Sequence, residues 1–310
     1  MIQGTQTPSK PAAVTIERRF QLPYAAFERE YLLPNKPVVI GGCLEAWPAL
    51  GKWSPEFLRD NYGAVPVQVE GQTRPLSEFI DQVLASTPER PAPYLKDAVV
   101  RRMSAELIKD IEPFVEYSFP NWLPGRYLFR SIHDVLKQAE VELFLGGRGA
   151  RLGELHYDYV NSHTVLCQIF GRKEFTLFSP TDTPWLYATG HTSALTSIDR
   201  DEVDLEQYPL YARATPIRFI QEPGEIIFLP RGWWHTTRML STSIAVGVNF
   251  ANASNWAAVT DDLCGGVSER KVMRRGILRA YLTSVGYWKR LQGLSAGANK
   301  LGIRPASRRV

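Results

Sequence analysis

The chain reads as mainly β with flanking helices, built around a barrel or a double-sheet sandwich. Five short apolar runs predict this core: His163–Ile169, Glu174–Phe178, Ile217–Gln221, Glu225–Leu229 and Thr242–Asn249. Turn residues part them, namely Gly171, Pro180, Pro223-Gly224 and Pro230 with Gly232. Several short strands with such punctuation are the pattern of closed or stacked sheets. Helical signals lie on either side, before residue 85 and after residue 255.

The elements follow in chain order. Residues 1–15, rich in Thr, Gln, Ser, Pro and Ala, are expected to be disordered. Phe27–Leu33 reads as a short helix stopped by Pro34. Pro37–Ile40 reads as a buried strand ended by Gly41-Gly42. Ser54 before Pro55 is a helix start, because Ser caps and Pro suits the first turn. Val65–Glu70 alternates like a strand, and Leu76–Leu84 reads as a helix behind Pro75. A second region begins near Tyr127, where Glu142–Leu145 precedes the turn Gly146–Gly149. The stretch 181–216 is a long excursion between strands, and such insertions are often functional. After Asn255 the chain reads as helical, with Met273, Ile277, Tyr281, Val285 and Trp288 forming an apolar stripe at spacings of three and four.

Composition narrows the class. At 310 residues, 44% hydrophobic and 22% charged, the chain can bury a core without covalent staples. Cys43, Cys167 and Cys264 are odd in number and far apart, which makes a poor disulfide framework and a poor zinc site. No apolar run reaches membrane-span length and the N-terminus lacks an apolar signal segment, so the expected location is cytoplasmic. Net charge is +4, but residues 271–310 hold ten Lys or Arg and no acid, against 26 basic and 32 acidic groups before them. This asymmetry suggests an anionic partner such as RNA, an acidic protein or a lipid surface. The plainer reading makes the helices a packing element with a solvated basic face.

Chemistry concentrates at three positions. His156-Tyr157-Asp158 opens the strand-rich region, and on a strand residues two apart share a face. His235 lies 77 residues beyond Asp158, in Leu229-Pro230-Arg231-Gly232-Trp233-Trp234-His235, where barrel closure can bring it to the same interior point. Two His and one carboxylate leave coordination positions open, the ligand set of Fe(II) oxygenases, though Zn or Mn would also bind. An isolated His-x-Asp means little; the surrounding pattern gives it weight. Lys173 stands between apolar Ile169/Phe170 and Phe175/Leu177. It reads either as edge protection or as an inward cation that needs an acidic partner. At least one of Trp233 and Trp234 is expected to pack in the core and fix the angle of His235, and His133 and His191 read as structural or surface residues.

The run HYDYVNSHTVLCQIFGRKEFTLFSP from His156 to Pro180, with PGEIIFLPRGWWH and VGVNF, resembles the Jumonji-C/cupin-like Fe(II)- and 2-oxoglutarate-dependent oxygenases. NKPVVIGGCLEAWPALGKWSPEFLRDNYG and Tyr94-Leu95-Lys96-Asp97 resemble their lead-in, and the likeness is nearest to the protein asparaginyl and arginyl hydroxylases. It implies a double-stranded β-helix (jelly-roll) core at 127–254 behind an α/β lead-in at 16–126, together a domain of 16–260. A basic helical tail, 255–310, would follow, and through its C-terminal helices the chain would form a homodimer. It also implies His156, Asp158 and His235 as iron ligands, with Lys173 and Tyr94 on the distal carboxylate of 2-oxoglutarate and Asn249 lining the site. Thr164 falls where relatives carry an Asn four residues after His-x-Asp, because the segment here is two residues longer, and the extra Asn161 and His163 would compensate or face substrate. The implied reaction is hydroxylation of a C–H bond on a protein side chain or small molecule, coupled to decarboxylation of 2-oxoglutarate to succinate and CO₂. The alternatives are N-methyl demethylation by the same chemistry and a non-catalytic metal-binding role.

Overall fold

A computed structural model describes residues 15–123, 140–195, 203–266 and 271–300. The expected disorder of 1–15, the region start near Tyr127, His133 and the segment 301–310 lie outside those residues, apart from Thr15 itself.

Fourteen strands among the described residues form two facing sheets and a small hairpin. They are β1 (Arg18–Phe20), β2 (Val38–Gly41), β3 (Pro66–Val69), β4 (Gln72–Pro75), β5 (Leu95–Val99), β6 (Glu142–Gly146) and β7 (His163–Phe170). There follow β8 (Lys173–Phe178), β9 (Ala188–Thr189), β10 (Thr192–Ser193), β11 (Ile217–Gln221), β12 (Ile226–Leu229), β13 (Trp234–Met239) and β14 (Ser243–Phe250). The larger sheet runs β1-β2-β12-β7-β14-β6-β5 and the smaller β11-β8-β13, while β3 and β4 pair only with each other. Isolated bridges Arg151↔Arg238, His156↔His235 and His156↔Thr192 extend the smaller sheet to the β9–β10 hairpin.

Consecutive strands cross between layers: β7 lies in the larger sheet, β8 and β11 in the smaller, β12 in the larger, β13 in the smaller and β14 in the larger. This is the jelly-roll arrangement, and the crossing corners explain the turn residues. Gly171 has φ of 66°, and a Cβ there would stand 1.8 Å from the Thr242 carbonyl oxygen, so one corner nests against the next only because glycine occupies it.

Strand alternation divides β7 between two cores. Leu166 packs with Phe175, Leu177, Phe219 and Ile227 between the sheets. Val165 and Cys167 face a helical layer that includes Phe27, Tyr31, Phe79 and Ile80. Both faces are covered, which accounts for a nearly continuous apolar run. The layer arises as the sequence suggests. Tyr24–Phe27 continues as a π turn, Glu28–Leu32; Ser54 accepts the Phe57 amide at 3.1 Å to cap Pro55–Tyr62; Leu76–Leu84 buries Leu76, Phe79, Ile80 and Val83. All three cysteines are free thiols.

The C-terminal helix, Val272–Lys300, departs from the expected stripe. Leu282 and Val285 are buried against Trp256–Gly265, with Leu278 and Tyr281 partly so, whereas Met273, Ile277 and Trp288 are exposed. The helix meets the body along its middle, where Gly286 lets Trp256 approach so closely that a Cβ would stand 2.5 Å from the ring. No described helix is long and apolar enough to cross a membrane.

Candidate metal and co-substrate site

His156 and Asp158 are not on a regular strand, as expected, but on an irregular segment. His156 forms a single bridge to His235, its amide donating to the His235 carbonyl at 3.2 Å and its carbonyl accepting the His235 amide at 2.7 Å. Asp158 is extended and leads into the tight turn Tyr159–Asn161. His235 sits near the start of β13, buried, opposite Leu177 of β8. The sequence pattern does not predict that strand, because Thr236-Thr237-Arg238 breaks the apolar run. Trp234 beneath it is fully buried, and the Trp233 indole donates to the Asn35 carbonyl at 2.8 Å, so both tryptophans hold the approach to His235.

One ligand atom from each of His156, Asp158 and His235 lies within 4.8 Å of the others. Each imidazole is oriented by a backbone carbonyl: Nδ1 of His156 lies 2.9 Å from the Glu154 oxygen, and Nδ1 of His235 lies 3.1 Å from the Trp233 oxygen. With Nδ1–H donating, each Nε2 carries a free lone pair. Burial and the facing His235 push His156 down to about 4, so the ring is neutral at physiological pH, as ligation requires. Asp158 Oδ2 accepts the Thr164 hydroxyl at 2.6 Å, leaving its other oxygen to a metal. Thr164 Oγ1 is also 2.9 Å from Asn249 Oδ1, but one hydroxyl proton cannot serve both. The shorter contact to a charged acceptor takes it, and the Asn249 Nδ2 donates to the Ser162 hydroxyl oxygen at 3.3 Å. Donor set and orientation fit a divalent metal with open positions.

After Asp158, Val160 and Asn161 both take left-handed conformations, with φ of 54° and 50°. For a β-branched residue this costs about 1–3 kcal/mol. Packing overrides it: Val160 is buried with Trp122, Trp256 and Val259, the Asn255 amide donates to the Asn161 carbonyl at 3.0 Å, and Asn161 donates to Asp262 at 2.8 Å. The two extra residues therefore pin this loop to the Trp256–Gly265 helix. His163, inside the same segment, is not among the residues that line the cavity. Its Nδ1 accepts the Arg231 amide at 3.0 Å and Nε2 lies 2.9 Å from the Ser254 hydroxyl. Burial, then Arg231, pushes it to about 3, so it is a neutral brace for the turn before His235.

A cavity of about 380 Å³ joins the metal cluster to Lys173. Lys173 opens β8 just past the Gly171 corner, is 1% exposed and points inward. Among the described residues it meets no carboxylate; its one hydrogen bond runs to the Tyr94 hydroxyl at 3.4 Å. Burial alone pulls its ammonium down to about 7, and burial pushes the Tyr94 phenol well up. Gly146 makes room for Tyr94, since a Cβ there would stand 2.7 Å from the ring. Asn249 and Thr164 line the same cavity nearer the metal. Glu142, Phe144, Lys96 and Thr237 also line the wall, and no motif in the sequence marks them for it. His191 lies at the cavity rim, 5.3 Å from the ring of Tyr159 and 6.4 Å from that of Tyr157, edge-on to both.

A jelly roll with two histidines and an aspartate at one end of a cavity and a buried cation at the other defines a non-haem metal oxygenase class. A profile of the Cupin-like domain family matches residues 24–255, and the chain belongs to that family. Among curated proteins it is 29% identical over 284 residues to "Lysine-specific demethylase JMJ21" of Arabidopsis thaliana, covering 85% of this chain and 28% of that one. It is 28% identical to "tRNA wybutosine-synthesizing protein 5" of Gallus gallus, over 72% of each. It is 27% identical to "2-oxoglutarate and iron-dependent oxygenase JMJD4" of Mus musculus, over 81% of this chain and 63% of that one. The chain thus spans under a third of the plant relative and nearly two thirds of the mouse one. The cofactors of this family are Fe(II) and the co-substrate 2-oxoglutarate.

Proposed function

We propose that the chain hydroxylates a C–H bond of a protein side chain or small molecule. The observation that carries this reading is Lys173: a buried ammonium that touches no carboxylate among the described residues, sharing a cavity with His156, Asp158 and His235. A metal clip alone needs no such cation, whereas a dicarboxylate held on a metal at one end needs one at the other. His156, Asp158 and His235 would hold Fe(II), Lys173 and Tyr94 the distal carboxylate, and Asn249 and Thr164 the metal-proximal wall. When bound, iron and 2-oxoglutarate use O₂ to turn C–H into C–OH, releasing succinate and CO₂. The protein's own work is orientation. Thr164 fixes the Asp158 carboxylate, Glu154 and Trp233 fix the imidazoles, and Phe144, Leu166 and Phe175 keep the walls apolar. Tyr159 and His191 at the rim would meet the substrate.

The relatives named as demethylases support a second reading, in which the hydroxylated carbon is an N-methyl group and formaldehyde leaves. Incubating iron-loaded protein with 2-oxoglutarate, O₂ and candidate peptides or small molecules separates the two. Succinate with a retained 16-Da gain supports hydroxylation, formaldehyde supports demethylation, and no 2-oxoglutarate binding supports a non-catalytic role.

In this reading residues 16–260 form the catalytic unit and 255–310 a basic helical appendage. Exposed Met273, Ile277, Trp288 and Leu291 support pairing with a second copy, and exposed Arg274 beside half-buried Arg275 supports an anionic partner such as RNA, an acidic protein or a lipid surface. Deleting 271–310 tests both: loss of dimer in light scattering supports the first, loss of salt-sensitive binding to a polyanion the second.

A further inference from the structure

We infer that Thr237 is a co-substrate-binding residue, whose hydroxyl donates to the distal carboxylate of 2-oxoglutarate beside Lys173 and Tyr94. This rests on the function proposed above and adds a residue to it.

Strand register carries the inference. β13 runs antiparallel to β8, setting His235 opposite Leu177, Thr237 opposite Phe175 and Met239 opposite Lys173. Alternate residues share a face, so His235, Thr237 and Met239 point to the same side as Leu177, Phe175 and Lys173. Thr237 therefore occupies the row one step, about 6.7 Å, from the metal-facing His235. The Lys173 ammonium folds back into that row: it lies 6.0 Å from the ring centroid of Phe175, the partner of Thr237, and 5.9 Å from those of Tyr94 and Phe144. Hydroxyl and ammonium thus converge on one stretch of the cavity.

Hydrogen-bond accounting points the same way. Thr237 is 6% exposed and lines the cavity, and among the described residues its buried Oγ1 has no partner. Its neighbour Thr236, on the outward face of the same strand, donates to the Leu152 carbonyl at 2.7 Å. A buried hydroxyl normally finds a partner, and valine would fill this volume with nothing left unpaired. Lys173 carries three donors with a single 3.4 Å contact to Tyr94. Among the described residues the Thr237 hydroxyl has no partner and the Lys173 ammonium hydrogen-bonds only with Tyr94, so both have donors to spare. A carboxylate, with two oxygens and about four lone-pair sites, supplies what Thr237, Lys173 and Tyr94 lack. Thr164 is not available for this, since its proton is committed to Asp158 at 2.6 Å.

The test is anaerobic binding to Mn(II)-loaded protein, which holds the site without turnover. Two probes are compared, 2-oxoglutarate and 2-oxopentanoate, which has the same carbon chain without the distal carboxylate. Thr237→Val should weaken 2-oxoglutarate roughly ten- to hundredfold, the range for a lost hydrogen bond to a charged group. Thr237→Ser should stay within roughly threefold of the parent. Neither change should alter 2-oxopentanoate binding, and the unfolding temperature of Thr237→Val should equal or exceed that of the parent. Equal 2-oxoglutarate affinity in Thr237→Val overturns the inference, as does an equal loss for both probes. A parent protein that binds no 2-oxoglutarate overturns instead the function on which the inference rests.

Discussion

Lys173→Met is expected to raise the stability of the fold while weakening its affinity for 2-oxoglutarate. Burial brings the ammonium from its ordinary 10.5 to about 7, and among the described residues no acid offsets that cost. At about 1.36 kcal/mol per tenfold, keeping this group buried at neutral pH costs on the order of 5 kcal/mol. Methionine fills a similar volume with no charge to desolvate. Relaxation around the buried amine reduces the recoverable part, so a gain of about 1–4 kcal/mol is expected, within the range for replacing buried ionic groups with apolar ones. At about 2–4 °C per kcal/mol, the unfolding temperature rises by roughly 2–16 °C. Removing the cation opposite a buried carboxylate costs about 2–5 kcal/mol, so 2-oxoglutarate affinity falls roughly thirtyfold to several thousandfold. Thermal unfolding of the ligand-free protein and anaerobic 2-oxoglutarate binding to the Mn(II)-loaded protein read the two effects. A variant that unfolds several degrees lower and still binds 2-oxoglutarate would refute the reasoning, because Lys173 would then be a structural residue.

Further expectations concern pH, the metal and the corners of the sheets. In the ligand-free protein Lys173 loses its proton near pH 7, below its unfolded value, so the unfolded state binds more protons between about 7 and 10.5 and stability rises with pH in that window. 2-Oxoglutarate needs the ammonium, so its affinity should fall up to about tenfold per pH unit above 7, a slope that Lys173→Met abolishes; a flat profile to pH 9 would contradict this. Asp158→Ala and His235→Ala should each lose stoichiometric Fe(II) after dialysis, measured by metal analysis, with the fold retained by circular dichroism. Thr164→Val removes the 2.6 Å bond to Asp158 and should weaken metal binding about 10- to 100-fold without abolishing it. Gly171→Ala places a Cβ 1.8 Å from the Thr242 oxygen at φ of 66° and should cost about 3 kcal/mol or more in urea unfolding.

Local chemistry made much of this legible in the sequence. Turn glycines and prolines marked the strand ends, the Ser54 cap marked its helix, and the His156-x-Asp158 spacing with the segment before His235 grouped three ligand-type residues that the fold brings together. Lys173 was conspicuous as a charge among apolar neighbours. What stayed hidden depends on tertiary context. β13 did not read as a strand, because Thr236-Thr237-Arg238 is polar on both faces, and without its register Thr237 could not be placed. Val160 and Asn161 gave no sign of left-handed backbone, which only the packing of the Trp256–Gly265 helix sustains. Of the stripe on the last helix, Tyr281 and Val285 pack on the Trp256–Gly265 helix beside Gly286, whereas Met273, Ile277 and Trp288 stay exposed.

In the proposed function His156, Asp158, His235 and Lys173 would together hold iron and 2-oxoglutarate in one cavity. Anaerobic addition of 2-oxoglutarate to the Fe(II)-loaded protein, followed by O₂, tests it most directly. The account predicts a visible metal-to-ligand band at one 2-oxoglutarate per chain that bleaches with O₂ as succinate appears, and no band in Lys173→Met at the same concentration. A protein that binds Fe(II) yet gives neither band nor succinate at saturating 2-oxoglutarate would contradict it.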